Sequence, residues 1–71
     1  MKNYIVLELQ TNGENTAVLT EHFTDFAMAQ QRFFTILSFA VVSSVAIHSA
    51  VIMDETGFVL RNESFVHKVE P

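Results

Sequence analysis

His48 and Glu63 are the residues of this chain whose types and spacing most resemble an acid–base pair. His48-Ser49 precedes a turn and Glu63-Ser64 follows it, so a hairpin would set His48 opposite Glu63. A histidine beside a carboxylate and a serine superficially suggests a hydrolase. However, adjacent strand residues point to opposite faces, and neither serine lies in a nucleophile elbow. We therefore interpret the pair as an ordinary cross-strand contact and predict no catalytic residue.

Metal binding is the second chemistry that the histidines could support. A bound ion needs its ligands at about 2 Å, and the three histidines are His22, His48 and His67. In the expected register His67 lies about 13 Å from the His48–Glu63 pair, and His22 belongs to another hairpin. The chain contains no cysteine, which excludes disulfides, thiolate zinc sites and thiol catalysis. We predict no metal and no cofactor.

The charge balance argues against nucleic acids and anionic membranes as partners. The 71 residues include four Lys and Arg against eight Asp and Glu, which gives a net charge of −4. Four scattered cations cannot form the basic stripe that phosphate binding requires. The length allows one domain, residues 1–71, and a hydrophobic content of 49% excludes a disordered chain.

An uncharged run of 21 residues, Phe33–Met53, raises the alternative of a transmembrane helix. The pattern within the run instead favours a helix end followed by a strand. Ser43 and Ser44 interrupt the apolar residues, and the hydrophobic period changes to two after Ser44. We therefore predict no membrane segment, and the N-terminal residues do not have the pattern of a signal peptide.

The first third of the chain predicts a β-hairpin. Alternating hydrophobicity indicates strands at Tyr4–Gln10 and Thr16–Phe23, with an Asn-Gly turn signal between them. A two-residue turn would set Leu7 opposite Val18, whereas a three-residue loop would set Leu7 opposite Leu19. We favour the three-residue loop because it gathers the apolar residues on one face, namely Ile5, Leu7, Leu9, Ala17 and Leu19.

A helix is predicted from about Asp25 to about Ser43, with Thr24 or Asp25 as its N-cap. Its core stripe consists of apolar residues at helical spacing, which are Phe26, Ala29, Phe33, Leu37 and Ala40. The opposite side carries polar residues together with three apolar ones, Met28, Phe39 and Val42. Such apolar residues are not expected on a solvated helix face.

The remaining sequence predicts a second hairpin. A strand from about Val45 to Met53 leads into a turn at Asp54–Gly57, and a strand from Phe58 to about Val66 follows. A tight turn would pair Met53 with Phe58. The order ββαββ predicts an α+β fold, with a four-stranded antiparallel sheet and one helix packed on one face.

The apolar content exceeds what one small two-layer core can bury, and this predicts self-association. One helix covers one face of a sheet, whereas the expected register leaves apolar residues on both faces of the second hairpin. The interface candidates are three helix residues and three strand residues that share one face in this register: Met28, Phe39, Val42, Ile52, Val59 and Phe65. Because exposed apolar patches mark association sites, we expect a homodimer or a higher homo-oligomer.

Five short segments along the chain carry a resemblance. They are Gln10-Thr11-Asn12, Ala40-Val41-Val42-Ser43-Ser44-Val45, His48-Ser49-Ala50-Val51, Asp54-Glu55-Thr56-Gly57 and Glu63-Ser64-Phe65. In this order the chain resembles small uncharacterised proteins encoded in phages and prophages of Gram-positive gut bacteria. The resemblance implies an accessory or morphogenetic phage protein that works in the bacterial cytoplasm or in a particle. It makes another phage protein a candidate partner and implies no activity.

Two functions from different classes remain open. The leading one is a non-enzymatic, self-associating module for assembly or partner binding. The alternative is a small enzyme or ligand-binding protein whose site forms between subunits, as an apolar pocket with few polar groups. His48, Arg61 and Glu63 are the polar candidates for such a site. Convergence of these side chains on a pocket would favour the alternative.

Overall fold

The chain folds in the predicted ββαββ order. The structure is a computed structural model that describes residues 2–67. Its elements are β1 Tyr4–Asn12, β2 Asn15–Phe23, α1 Phe26–Ala40, β3 Ile47–Asp54 and β4 Val59–Val66. The strands form one antiparallel sheet in the order β2-β1-β3-β4, and α1 packs on one of its faces. The predicted α+β fold with four antiparallel strands and a single helix is confirmed for these residues.

The helix connects two strands that are not neighbours in the sheet. β1 is antiparallel to both β2 and β3, so β2 and β3 run in the same direction with β1 between them. α1 links the end of β2 to the start of β3 and packs against the central strands. β1 and β3 therefore supply the core residues of the sheet, whereas β2 and β4 form its two edges.

The core is a thin layer between α1 and the two central strands. Three large side chains are almost fully buried in it, Phe33 from α1, Val6 from β1 and Ile52 from β3. The other buried apolar residues are Ala29, Ile36, Ala40 and Ala50. The buried helix residues recur at spacings of three and four, as the predicted core stripe requires. A core of this size seldom stabilises a domain by more than about 3–5 kcal/mol.

The helix begins where the sequence predicts and ends earlier. Asp25 is the N-cap, and its Oδ1 accepts a hydrogen bond from a backbone N–H of the first turn at 3.1 Å. The predicted end at Ser43 is wrong, because α1 ends at Ala40. Two β-branched residues, Val41 and Val42, follow in a turn in which the N–H groups of Val42 and Ser43 bond to carbonyls three residues earlier.

The uncharged run is divided between a helix end, a loop and a strand. α1 occupies it as far as Ala40, and β3 starts at Ile47, two residues later than predicted. The intervening loop is fixed by Ser43, whose Oγ accepts a hydrogen bond from the N–H of Val45 at 2.9 Å. Among residues 2–67 there is no helix with the length and hydrophobicity needed to cross a bilayer.

The first hairpin has a register that differs from both predicted alternatives. Leu7 lies opposite Thr20, so its predicted pairing with Val18 or with Leu19 is wrong. Leu19 now lies opposite Glu8 on the helix side, away from Leu7. Alternation along the strands gathers a different apolar set on the face away from α1, namely Ile5, Leu7, Leu9 and Val18.

The turn of this hairpin explains its register. Asn12 pairs with Asn15, which leaves Gly13 and Glu14 as the two turn residues. The φ of Gly13 is 62°, whereas Glu14 has a negative φ. A positive φ at the first turn position alone is the type II′ pattern, which glycine adopts without steric cost. Asn12 therefore belongs to β1, and its Oδ1 accepts a hydrogen bond from the N–H of Ala46 at 3.0 Å.

Replacing Gly13 with alanine is expected to lower the free energy of unfolding by about 1 kcal/mol, because a Cβ disfavours positive φ. No atom lies within 4 Å of a Cβ built on Gly13, so the cost is backbone strain rather than a clash. Urea unfolding at a fixed protein concentration measures the change, with Glu14→Ala in the same turn as the control. Equal midpoints for the two variants would contradict the type II′ assignment.

The second hairpin is displaced by two residues from the predicted register over most of its length. His48 lies opposite Phe65 and Ala50 lies opposite Glu63, so the predicted direct pairing of His48 with Glu63 is wrong. A displacement of two residues preserves the faces of a strand. His48 and Glu63 therefore still lie on the same face of the sheet, as predicted.

A β-bulge near the turn changes the faces at one end of this hairpin. The register shifts between Ile52 and Met53, and Met53 pairs with Val59 instead of the predicted Phe58. Val59 consequently lies on the face away from α1, while Ile52 and Phe65 face the helix side. The predicted grouping of Ile52, Val59 and Phe65 on one face is therefore wrong.

Candidate functional site

A buried polar contact joins the two central strands beneath α1. His48 on β3 is 5% exposed, and its Nε2 lies 2.6 Å from Oε2 of Glu8 on β1. The Nε2 of Gln10 donates to the same carboxylate oxygen at 2.9 Å. Since an ionised carboxylate only accepts hydrogen bonds, the Nε2–H of His48 is the donor in this contact. The partner of His48 is thus Glu8, and not Glu63 as the sequence pattern predicts.

The surroundings of Glu8 keep its carboxylate ionised. Burial alone would raise its pKa, but other contacts outweigh that effect. Hydrogen bonds from His48 and Gln10, together with the electrostatic influence of His48 and Arg32, lower the pKa of Glu8 below its ordinary value of 4.5. The folded chain therefore holds an anionic carboxylate between sheet and helix at neutral pH.

The geometry of this contact suits a structural role better than acid–base catalysis. A general base needs a nitrogen within hydrogen-bond reach of the substrate. The Nε2 of His48 is engaged by Glu8, and its Nδ1 is buried without a hydrogen-bond partner among residues 2–67. The neighbouring hydroxyl of Ser49 lies on the opposite face of β3, so His48 cannot activate it.

A charged cleft opens beside Glu8 at the β2 edge. Arg32 on α1 and Glu21 on β2 form an ion pair, with 2.8 Å between Nε and Oε1, and both side chains are exposed. Together with Glu8 and apolar neighbours they line a cleft of about 110 Å³. A water molecule occupies about 30 Å³ of the liquid, and ligand pockets start at about 300 Å³. The cleft therefore has room for a few waters and not for an organic ligand.

The three polar candidates of the alternative function do not form one site. His48 is buried against Glu8, whereas Arg61 extends from β4 over the ring of Phe34, with its guanidinium carbon 5.4 Å from the ring centroid. Glu63 is exposed on the same face as Arg61 and lies opposite Ala50. These side chains do not converge on a pocket.

The three histidines occupy separate places in the fold. The Nε2 of His22 lies 2.8 Å from Oδ1 of Asn3, while the Nε2–H of His67 donates to the carbonyl of Ala40 at 2.6 Å. His67 thereby adds a second donor to a carbonyl at the C-terminal end of α1 that also accepts a hydrogen bond from the N–H of Ser43. In the part of the chain that the structure describes, no three His, Cys, Asp or Glu side chains are placed to hold a metal ion.

Zinc is expected to leave the thermal midpoint of the protein within about 2 °C of its value in EDTA. A ligand at a hundredfold excess over its dissociation constant would stabilise by about 2.7 kcal/mol, which corresponds to several degrees for a small domain. Scanning fluorimetry of one protein stock with zinc and with EDTA makes the comparison. A rise of several degrees in zinc would show that the histidines do bind metal.

The predicted interface residues fall on exposed and on buried positions. Met28 and Phe39 are exposed on the outer side of α1, and Val42 is exposed in the turn after it. Ile52 has no exposed surface in the core, so it cannot contact a partner and its assignment to an interface is wrong. Phe65 is half-buried on the helix side of β4.

The sheet face away from α1, called the open face below, is formed by alternate residues of all four strands. Nine of its residues are apolar, namely Ile5, Leu7, Leu9, Val18, Ile47, Val51, Met53, Val59 and Val66. Seven are polar, namely Thr11, Thr16, Thr20, His22, Ser49, Asn62 and Ser64. Of the predicted interface residues, Val59 belongs to this face and is exposed.

The charged residues of the strands all lie on the helix side of the sheet. They are Glu8, Glu21, Asp54, Arg61 and Glu63. The sixteen strand residues of the open face include no Lys, Arg, Asp or Glu. The sheet therefore presents one charged face and one face without formal charge.

The buried Glu8–His48 contact and the open face are thus the two features of residues 2–67 with functional potential. The first lies between sheet and helix, with Glu8 partly exposed at the cleft, whereas the second has no covering element among the described residues. Comparison with protein-family models, with curated proteins and with solved structures finds no match to this chain.

Proposed function

We propose that this chain is a self-associating module that acts by protein–protein interaction rather than by catalysis. The observation that carries the proposal is the open face, where nine apolar and seven polar side chains from four strands form a surface that no other element of residues 2–67 covers. Monomeric proteins seldom expose contiguous apolar patches larger than a few hundred Å², and larger patches mark association sites.

The small core supports the same proposal. Seven apolar residues are buried within residues 2–67, and three of them are alanines, whereas twelve large apolar residues are exposed. The radius of gyration is 12.7 Å, while a compact domain of this length has about 11 Å. A flat molecule with so little buried surface gains stability when a partner covers its apolar residues.

The resemblance to phage and prophage proteins supports a cellular context for this module. It favours an accessory or morphogenetic role, either in the bacterial cytoplasm or within a phage particle. Proteins that build particles act through repeated contacts between copies, so a self-associating module without a catalytic site fits this context.

Light scattering after size exclusion tests the proposal. At roughly 10 μM and at tenfold higher concentration, we expect a mass of at least two chains of 8.0 kDa. The thermal midpoint should also rise with protein concentration, since association stabilises the folded chain and not the unfolded one. A single-chain mass at both concentrations, with a constant midpoint, would contradict self-association.

A second candidate is a ligand-binding protein whose site forms between subunits. A groove of about 300 Å³ at the open face favours it, and its lining includes the apolar residues Leu9, Val51 and Val59 and the polar residues Ser49, Asn62, Glu63 and Ser64. A second copy over this groove would enclose it as a pocket lined equally by apolar and polar residues, and an enclosed pocket with polar groups that orient a ligand is typical of ligand sites. Native mass spectrometry of the protein purified from its host should then detect a retained small molecule. A mass of polypeptide alone would count against this candidate.

A further inference from the structure

We infer that the contact surface of this self-association is the open face, packed against the open face of a second copy about a twofold axis. The inference rests on the proposed self-association and adds its location. Two surfaces compete for this role. The first is the open face, and the second is the outer side of α1 with the turn after it, which exposes Met28, Phe34, Phe39, Val41 and Val42.

The available area favours the open face. Four strands of eight residues, with about 3.3 Å per residue and about 4.8 Å between strands, cover an area of roughly 500 Å² per copy. Two such faces in contact would bury roughly 1,000 Å² in the dimer. A specific interface needs about that total. α1 has 15 residues, and at 1.5 Å per residue and about 10 Å of width it offers roughly 220 Å². Two helices in contact would therefore bury less than half of the area that a specific dimer requires.

The arrangement of apolar residues favours the same surface. On the open face, Leu7 on β1 lies opposite Val51 on β3, and Leu9 on β1 lies opposite Val18 on β2. Ile5, Met53 and Val59 likewise form an apolar row across β1, β3 and β4, so apolar neighbours connect all four strands. On the outer side of α1, by contrast, Gln31, Thr35 and Ser38 separate the apolar residues from one another.

The absence of formal charge on the open face makes a second copy its best occupant. The whole chain carries a net charge of −4, so two copies repel each other at their acidic surfaces. Packing the two charge-free faces together leaves the strand acids on the outer sides of the dimer. A charged partner would instead require complementary charges, which the sixteen strand residues of this face do not supply.

The polar residues of the open face are compatible with burial in such a dimer. The hydroxyls of Thr11 and Thr16 lie 3.0 Å apart and hydrogen-bond to each other across β1 and β2. Ser49 and Ser64 are directly opposite each other on β3 and β4. A neutral hydroxyl that is hydrogen-bonded within one copy costs little free energy to bury. Other hydroxyls can be hydrogen-bonded by bridging water, which interfaces commonly hold.

Adjacent residues of β2 provide a matched test. Val18 is 53% exposed on the open face, and Leu19 is 51% exposed on the helix side. The test variant is Val18→Lys with Val59→Lys on the open face. The control variant is Leu19→Lys with Val41→Lys on the helix side. Val41 is 49% exposed, which is close to the 44% of Val59 in the test variant. Both variants add two positive charges at exposed positions, which a folded monomer tolerates.

Sedimentation equilibrium of the full chain measures the dissociation constant of each variant. We expect the open-face variant to weaken the dimer at least tenfold and the helix-side variant to change it less than threefold, since lysines on the open face must be desolvated. The reverse result, an equal effect of both variants, or no effect of either would overturn the open-face assignment. A monomeric unsubstituted protein would instead overturn the proposed self-association itself.

A measurement on the unsubstituted protein keeps the inference testable if the lysine variants do not fold. In methyl-labelled protein with a soluble paramagnetic agent, the methyls of Leu7, Leu9 and Val51 should be protected above the dissociation constant. That protection should be lost on dilution, while the methyls of Val41 and Val42 on the helix side stay accessible throughout. Protection of the helix-side methyls alone, or of neither set, would overturn the inference.

Discussion

Replacing Phe33 with alanine is expected to abolish the cooperative unfolding transition of this chain. Phe33 is 2% exposed and is the largest fully buried side chain, in contact with the core residues of β1 and β3. Phe→Ala substitutions in cores cost about 3–5 kcal/mol. That cost equals the whole stability that a core of this size supplies. Thermal scans followed by circular dichroism should show a gradual loss of signal without a transition.

The adjacent phenylalanine provides the control for this prediction. Phe34 is 49% exposed, and its ring contacts Phe33 edge-on at 5.4 Å between centroids and lies beneath Arg61. Phe34→Ala is expected to cost about 1 kcal/mol, because little buried surface is lost. Phe33→Leu preserves most of the volume and should retain a measurable transition. Similar stabilities for Phe33→Ala and Phe34→Ala would contradict the described core.

The helix and its inner face could be predicted from the sequence because they depend on local pattern. The spacing of three and four that places Phe33 and Ala29 on one stripe is a property of α-helix geometry alone. The Asp25 cap likewise satisfies a backbone N–H of its own first turn. The end of α1 was harder to predict, because Val41 and Val42 continue the apolar pattern while the chain has already turned.

The strand registers could not be derived from hydrophobicity, because both faces of the sheet carry apolar residues. Shifting the register by one residue normally moves buried apolar side chains to the solvent face. In this sheet both faces carry apolar side chains, so such a shift exchanges one apolar set for another. The turns determine the registers instead. Gly13 occupies the first turn position because glycine tolerates the positive φ required there, and the bulge beside Met53 moves Val59 to the open face. Neither feature is a property of the alternation itself.

The partner of His48 could not be identified from the sequence either, for a reason of topology. His48 and Glu8 meet because β1 lies next to β3, whereas the sequence analysis assigned pairs only within hairpins. The available signal was the position of Glu8 itself. It follows Val6 at a spacing of two, so it lies on the face that carries a buried residue. A carboxylate in that position needs a buried partner.

Replacing Glu8 with leucine is expected to lower the free energy of unfolding by about 3 kcal/mol, because the substitution leaves His48 buried without its partner. The double variant Glu8→Leu/His48→Phe should recover part of this loss, since apolar residues of similar volume can replace a buried polar pair. Urea unfolding at a fixed protein concentration measures both variants. A double variant less stable than Glu8→Leu alone would contradict the pairing of Glu8 with His48.

The contact between Glu8 and His48 should make the stability of the folded chain sensitive to acid. The pKa of Glu8 is 4.5 without the contacts of the fold and is lowered in the folded chain. The unfolded state therefore binds a proton on Glu8 at a higher pH than the folded state does. The contribution of Glu8 is present in full above its ordinary pKa and is lost as the pH falls through the lower folded value. The pKa of Asp54 is also lowered, chiefly by a hydrogen bond from the Thr56 hydroxyl. Its contribution to stability is therefore likewise lost as the pH falls below its ordinary pKa of 3.8.

Glu8→Gln separates the contribution of Glu8 to this acid sensitivity from that of Asp54. The amide keeps a hydrogen bond within reach of His48 but does not titrate, so the variant should lose about 1 kcal/mol at neutral pH. Its stability should then fall less steeply between about pH 5 and about pH 3 than that of the unsubstituted chain. Glu14→Gln, in the exposed first turn, is the matched control and should keep the full slope. If Glu8→Gln and Glu14→Gln gave the same slope, the buried carboxylate would not be the source of the acid sensitivity.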